Sequence, residues 1–256
     1  MRRVHTGLVL APLGLLLLLS ALDATVGLAA AGWVAAVTAG AVGAGTLQTA
    51  LTRRPWHRLS RADAVTLTRA VLVGGVTALV AGGLADGRAT HGSALSALAA
   101  VALVLDAVDG WVARRSGTAT ELGARLDMEV DAFLILVLSA EVGRSTAWWV
   151  LGLGAARYLL VGAGRLQPWL RAPLPPRFWG KVVAAYAGVA LTVAAAGVLP
   201  ATATLLVLLV AAALLAESFG RQVRDLWRLR GAGGGADGEP VGPAEPLVAA
   251  GLGERP

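Results

Sequence analysis

The chain has 256 residues, 56% of them hydrophobic and only 15% charged, with no cysteine, and its mean hydropathy is +0.69. An ordinary soluble domain carries about 25% charged residues, so this composition excludes a water-soluble monomer, a wholly disordered chain and a disulfide scaffold. The net charge of +6 falls between hydrophobic stretches, which ties it to membrane topology and anionic lipid headgroups and speaks against nucleic acid as a partner.

Long apolar stretches that recur along a chain point to membrane-spanning helices rather than a β-barrel, and hence to an all-α, polytopic transmembrane helical bundle. In chain order the candidate spans lie near residues 7–22, 25–48, 64–85, 93–112, 120–142, 146–163, 180–199 and 201–218. The first follows Arg2 and Arg3 and ends in small residues before Ala24, a pattern that also fits a cleaved secretory signal. Cleavage would leave the orientation of everything downstream unchanged. Segment 52–63 is too polar to span and sets Trp56 and Leu59 among arginines, as expected of an interfacial helix lying on the membrane surface.

The loop 164–181 combines Pro168, Pro173, Pro175 and Pro176 with Trp169 and Trp179, the signature of irregular chain held at the headgroup level. Beyond Gly231, Gly, Pro and Ala dominate, and an unstructured tail is expected. The expected division is a pair of N-terminal spans over 1–51, the interfacial segment 52–63, a six-span core over 64–221 and a cytoplasmic tail over 222–256.

Charge fixes the expected orientation. With Arg2 and Arg3 inside, alternation places Arg53, Arg54, Arg58, Arg61, Arg114, Arg115, Arg165, Arg171, Arg177, Lys181, Arg221, Arg224, Arg228 and Arg230 on the same side, and only Arg88 and Arg144 opposite. The positive-inside rule then predicts a multi-pass protein of the cell membrane with both termini in the cytoplasm.

Carboxylates inside a membrane are costly enough to suggest function, and one region collects them. It reads Asp106-Ala-Val-Asp109-Gly110-Trp-Val-Ala113-Arg114 and, eight residues later, Gly123-Ala-Arg-Leu-Asp127-Met-Glu-Val-Asp131. On a helix, Asp106 and Asp109 sit about 60° apart, and Asp127 and Asp131 about 40° apart. Two antiparallel helices joined by a short loop would bring the four carboxylates into one cavity at the inner interface.

Clustered carboxylates repel one another unless their pKa values rise or cations neutralise them, and oxygen-only donors suit Mg²⁺ or Mn²⁺, the ions a pyrophosphate substrate needs. Zinc is disfavoured without cysteine or nearby histidine, since His5, His57 and His91 are scattered. Gly110 and Gly123 remove side chains where a backbone or ligand must approach closely, and Arg114 can meet phosphate oxygens.

These residues carry a resemblance. Asp106, Asp109, Gly110, Ala113, Arg114, Gly123, Asp127 and Asp131 match every fixed position of D-x2-D-G-x2-A-R-x8-G-x3-D-x3-D, the signature of the CDP-alcohol phosphatidyltransferase family. An upstream Asn-x2-Thr-x2-Arg element is echoed by Asp63, Thr66 and Arg69, with Asp in place of Asn. The chain resembles the family from about Asp63 to Arg221, which leaves the two N-terminal spans outside it.

The resemblance implies transfer of a phosphatidyl group from a CDP-linked lipid such as CDP-diacylglycerol to the hydroxyl of a small alcohol acceptor, with release of CMP. It implies that Asp106, Asp109 and Asp127, with Asp131 close by, hold one or two Mg²⁺ or Mn²⁺ ions, and that Asp131 is the general base. It places Thr66, Arg69, Gly110, Ala113, Arg114 and Gly123 around the nucleotide. It also implies a homodimer.

Several residues carry competing readings. Asp63 is either an N-cap of the third span or part of the nucleotide pocket. Glu129 points about 160–200° away from Asp127 and Asp131, toward another helix or a basic partner. Arg125, Arg157 and Lys181 are candidates for binding a phosphorylated acceptor. Arg157 stands out because an arginine inside a span calls for an anion, which a structural carboxylate could equally supply. Ala132 and Met128 replace a basic residue and a proline found after motif aspartates in relatives with phosphorylated acceptors, which weakens assignment to glycerol phosphate or inositol phosphate. The alternative of another class is an ion-coupled transporter with a carboxylate relay, which predicts acids near the membrane midplane.

Overall fold

The computed structural model describes residues 2–52, 61–87, 90–116, 121–171 and 178–233. The expected interfacial segment around Trp56 lies outside the described residues, as do positions 172–177 of the proline-rich loop. Among the described residues the chain forms eight α-helices: α1 (Arg2–Val26), α2 (Ala30–Thr52), α3 (Arg61–Asp86), α4 (Gly92–Ser116), α5 (Glu121–Ser145), α6 (Leu151–Leu166), α7 (Phe178–Ala196) and α8 (Ala201–Gly233). Two short 3₁₀ turns, Trp148–Val150 and Pro168–Arg171, lead into α6 and follow it. Each helix overlays one of the apolar runs. Among the described residues four stretches are long and apolar enough to cross a membrane, Ala30–Thr49, Asp63–Asp86, Phe178–Ala196 and Ala201–Arg230, and shorter apolar stretches fill Leu10–Val26 and Gly92–Val108. Such an all-α bundle is that of a multi-pass membrane protein. Its outer faces agree, since Leu17, Val34, Val104, Leu159 and Leu206 are exposed where water would penalise them and lipid would not.

Helix ends follow local chemistry. α1 stops at Gly27, whose φ of +70° is the left-handed conformation that glycine adopts without a Cβ clash. Its amide donates to Asp23 O at 3.0 Å, and the Asp23 carboxylate accepts from the Leu28 amide at 2.8 Å, which turns the chain into α2.

Helix α8 runs well past the apolar stretch from which it was anticipated, and residues 222–233, expected as tail, continue it. Hydropathy ends where charge begins, yet the helix has packing to keep it. Leu226 is buried, and Trp227 meets Trp169 edge to face at 5.4 Å. Arg230 stacks 5.2 Å from the Trp227 ring.

Helix α3 is the hub, packing against α1, α2, α4 and α5, while α7 packs against α4, α5 and α8. Its apolar core runs through Val73, Val76, Leu95, Ala99, Leu134, Leu138, Ala187 and Leu191. Helices α1 and α2 approach α3 through small residues, as membrane helices do. A Cβ on Gly32 would stand 2.4 Å from the Ala78 carbonyl oxygen, and Leu15 lies over Gly74. Because α3 and α7 each contact both α4 and α5, the latter two face one another across a gap with little direct contact between them. Asp106 on α4 and Asp127 and Asp131 on α5 thus come together in one interhelical space.

Candidate active site

Helix α3 supplies one wall. Asp63, Thr66 and Arg69, spaced by three, share a face over its first turns, and all three are buried, at 2%, 3% and 0% exposure. An apolar helix with buried polar groups on one face must pair them. Arg69 shows how. Its Nε donates to the Ala102 carbonyl of α4 at 3.1 Å, and its Nη1 reaches Asp106 Oδ1 at 2.9 Å. Nη1 also meets Asp127, and Nη2 meets Asp131. One guanidinium therefore ties α3 to carboxylates on both α4 and α5.

Asp106, Asp127 and Asp131 each offer an oxygen within 4.8 Å of the others, close enough to share a cation. They are half-buried, and beneath Asp106 and Asp131 a small cavity is lined by Leu103, Leu134, Ile135, Ala184 and Gly188. The donor set is carboxylate oxygen alone, which fits a hard divalent ion held partly by protein and partly by substrate or water. The side chains of Asp109, Ala113 and Arg114 lie outside the described residues, although their backbone belongs to α4. Gly110 and Gly123 are half-buried on α4 and α5.

The acceptor candidates sit on α5, α6 and α7. Arg157 on α6 pairs with Glu129 and lies 2.9 Å from the Met128 sulfur. Glu129 thus takes the basic partner anticipated for its face of α5. The Arg157 Nε is buried with no hydrogen-bond partner among the described residues, which leaves one donor for an anion. Arg125 and Lys181 are exposed, on α5 and at the start of α7.

A second polar cluster, which sequence reading missed, closes the opposite end of the bundle. Buried Glu141 accepts from Arg144 at 3.0 and 3.2 Å and from the Thr90 hydroxyl, and Arg144 reaches the Gly83 carbonyl at 3.5 Å. It staples α3, α5 and the start of α4. The signal was in the sequence: an acid and a base three residues apart at the end of an apolar run.

The geometry accords with what the chain matches. The model of the CDP-alcohol phosphatidyltransferase family matches residues 59–218, which include every motif residue and the whole site. This chain belongs to the CDP-alcohol phosphatidyltransferase family. Comparison with curated proteins and with solved structures gave no match. Family membership supports an enzyme of the phosphatidyltransferase type, and the three-aspartate cluster supports a metal-assisted reaction. The match begins just before α3 and ends within α8, so α1 and α2 lie outside it.

Proposed function

We propose that the protein transfers a phosphatidyl, or related phospho-alcohol, group from a CDP-linked lipid such as CDP-diacylglycerol to the hydroxyl of an alcohol acceptor and releases CMP, in phospholipid biosynthesis. The observation that carries this reading is the convergence of Asp106, Asp127 and Asp131 in one half-buried space within the matched region.

Asp106, Asp109 and Asp127, with Asp131 beside them, would hold one or two Mg²⁺ or Mn²⁺ ions, which supply neutralisation of charge on the diphosphate and the leaving CMP. Asp131 takes the proton of the acceptor hydroxyl while the acceptor oxygen bonds to the lipid-linked phosphorus and the bond from that phosphorus to CMP breaks. Thr66, Arg69, Gly110, Ala113, Arg114 and Gly123 surround the nucleotide, where the buried face of α3 supplies polar groups beside the motif helices. Arg157, with its unpartnered Nε, and the exposed Arg125 and Lys181 are the groups for an acceptor that carries phosphate. Residues 64–221 act as the catalytic unit, with the site and both termini on the cytoplasmic side of the cell membrane, where the arginine distribution points. The family resemblance supports a homodimer.

The test is CMP release by purified protein from CDP-diacylglycerol with Mn²⁺, across glycerol 3-phosphate, inositol phosphate, inositol, serine and choline. Release that depends on one acceptor identifies the reaction and the substrate. Failure of folded protein to bind any CDP compound would overturn the reading in favour of an ion-coupled transporter.

A further inference from the structure

We propose that Arg69 is a tethered counter-cation of the aspartate cluster, which holds the site together without metal and leaves the carboxylates only when a diphosphate is there to receive it. Divalent metal and nucleotide then bind cooperatively. The proposal rests on the reading of Asp106, Asp127 and Asp131 as metal ligands.

A guanidinium has five donors to place, and which groups receive them shows what it serves. Arg69 engages all three carboxylates, through Nη1 to Asp106 at 2.9 Å and to Asp127, and through Nη2 to Asp131. Each carboxylate gives it Oδ1, so the guanidinium sits where the acidic oxygens converge. A divalent ion drawn to the same oxygens meets a fixed positive charge within hydrogen-bond distance of its ligands, and the two repel. Arg69 cannot escape to water, because its side chain is 0% exposed and is pinned to the Ala102 carbonyl through Nε at 3.1 Å. Metal alone would therefore strand a buried charge without an anion, an arrangement that proteins avoid at high cost.

A diphosphate resolves the conflict. Its oxygens accept the two-pronged hydrogen bonds that arginine makes, while the metal takes over the carboxylates. Metal affinity is thus low until the nucleotide arrives, and by linkage each raises the affinity of the other by the same factor.

The experiment uses the full-length protein in detergent, with Mn²⁺ binding read by electron paramagnetic resonance, with and without CDP. Wild-type protein is expected to bind Mn²⁺ at least about tenfold more tightly when CDP is present. In Arg69→Gln, Mn²⁺ alone should bind at least about tenfold more tightly than to wild type, and the enhancement by CDP should shrink. Melting gives a second readout: Arg69→Gln should lose thermal stability in EDTA and regain it with Mn²⁺, whereas wild type responds less. Arg69→Lys keeps the charge but not the span across three carboxylates, so its Mn²⁺ affinity should fall between the two, and it decides the matter if the glutamine variant does not fold. Unchanged or weaker Mn²⁺ binding in the folded variants would overturn the counter-cation role while leaving the metal site standing. Absence of Mn²⁺ binding to wild type even with CDP would instead remove the metal site, and this proposal with it.

Discussion

Replacing Gly154 by alanine tests whether the seam between α5 and α6 positions the site. An added Cβ would lie 2.4 Å from the Leu136 Cα, 2.9 Å from its amide nitrogen and 3.0 Å from the Ile135 carbonyl oxygen. Carbon atoms in contact sit about 3.5–4.0 Å apart, so the helices must part by roughly 1 Å. No side-chain rotation can relieve a clash with backbone. Overpacking of this kind costs about 1–3 kcal/mol, against about 1 kcal/mol that alanine returns in helix propensity, and we expect a net loss of up to about 2 kcal/mol. The strain reaches the site because Asp131 lies on the same helix, about 7.5 Å along the axis from Leu136 at 1.5 Å per residue. A misplacement of about 1 Å can cost about 100-fold in rate, so kcat should fall by about 10- to 100-fold. Gly152→Ala is the control, since no atom of the described residues stands within 4 Å of its Cβ position on the same helix. It should melt at or above the wild-type temperature and keep full activity. Thermal melting in detergent and CMP release on the same samples read both effects. If Gly154→Ala melts and turns over like Gly152→Ala, α6 does not brace α5 and the reasoning is refuted.

Three further outcomes follow from the site. Asp131→Asn should abolish transfer, a loss of at least about 100-fold on the usual worth of a general base, with folding and CDP-lipid binding largely retained; an active variant removes its role as base. Removal of divalent ions by chelator should stop CMP release, and addition of Mg²⁺ or Mn²⁺ should restore it; turnover without metal would undo the aspartate assignments together. Arg157→Ala should raise the acceptor KM with little change in the KM for the CDP-lipid, and only if the acceptor carries phosphate; an equal rise for an uncharged acceptor would reduce Arg157 to its structural pairing with Glu129.

Much of this could be read before any coordinates. Each of the eight apolar runs overlays a helix, because in lipid the backbone must satisfy its own hydrogen bonds and length plus hydropathy then suffice to locate helices. The motif aspartates could be read because their spacing puts each pair on one helix face. Helix α8 past residue 218 could not be read from hydropathy, since what sustains it is the burial of Leu226 and the contact of Trp227 with a distant 3₁₀ turn. The choice left open for Arg157, between an acceptor and a structural carboxylate, was met in part by Glu129, a contact between helices that no periodicity reveals.

The sequence by itself determined the class of molecule, the long helices among the described residues and the identity of three acidic residues, Asp106, Asp127 and Asp131, that share a site. These are properties of single segments: composition, period and charge. Only the tertiary structure decided that α4 and α5 stand on opposite sides of a gap, that the small residues of α7 line its floor, and that Arg69 fills the space between Asp106, Asp127 and Asp131. Those facts depend on which helices pack on α3, and packing is a property of pairs of surfaces that a linear pattern does not specify.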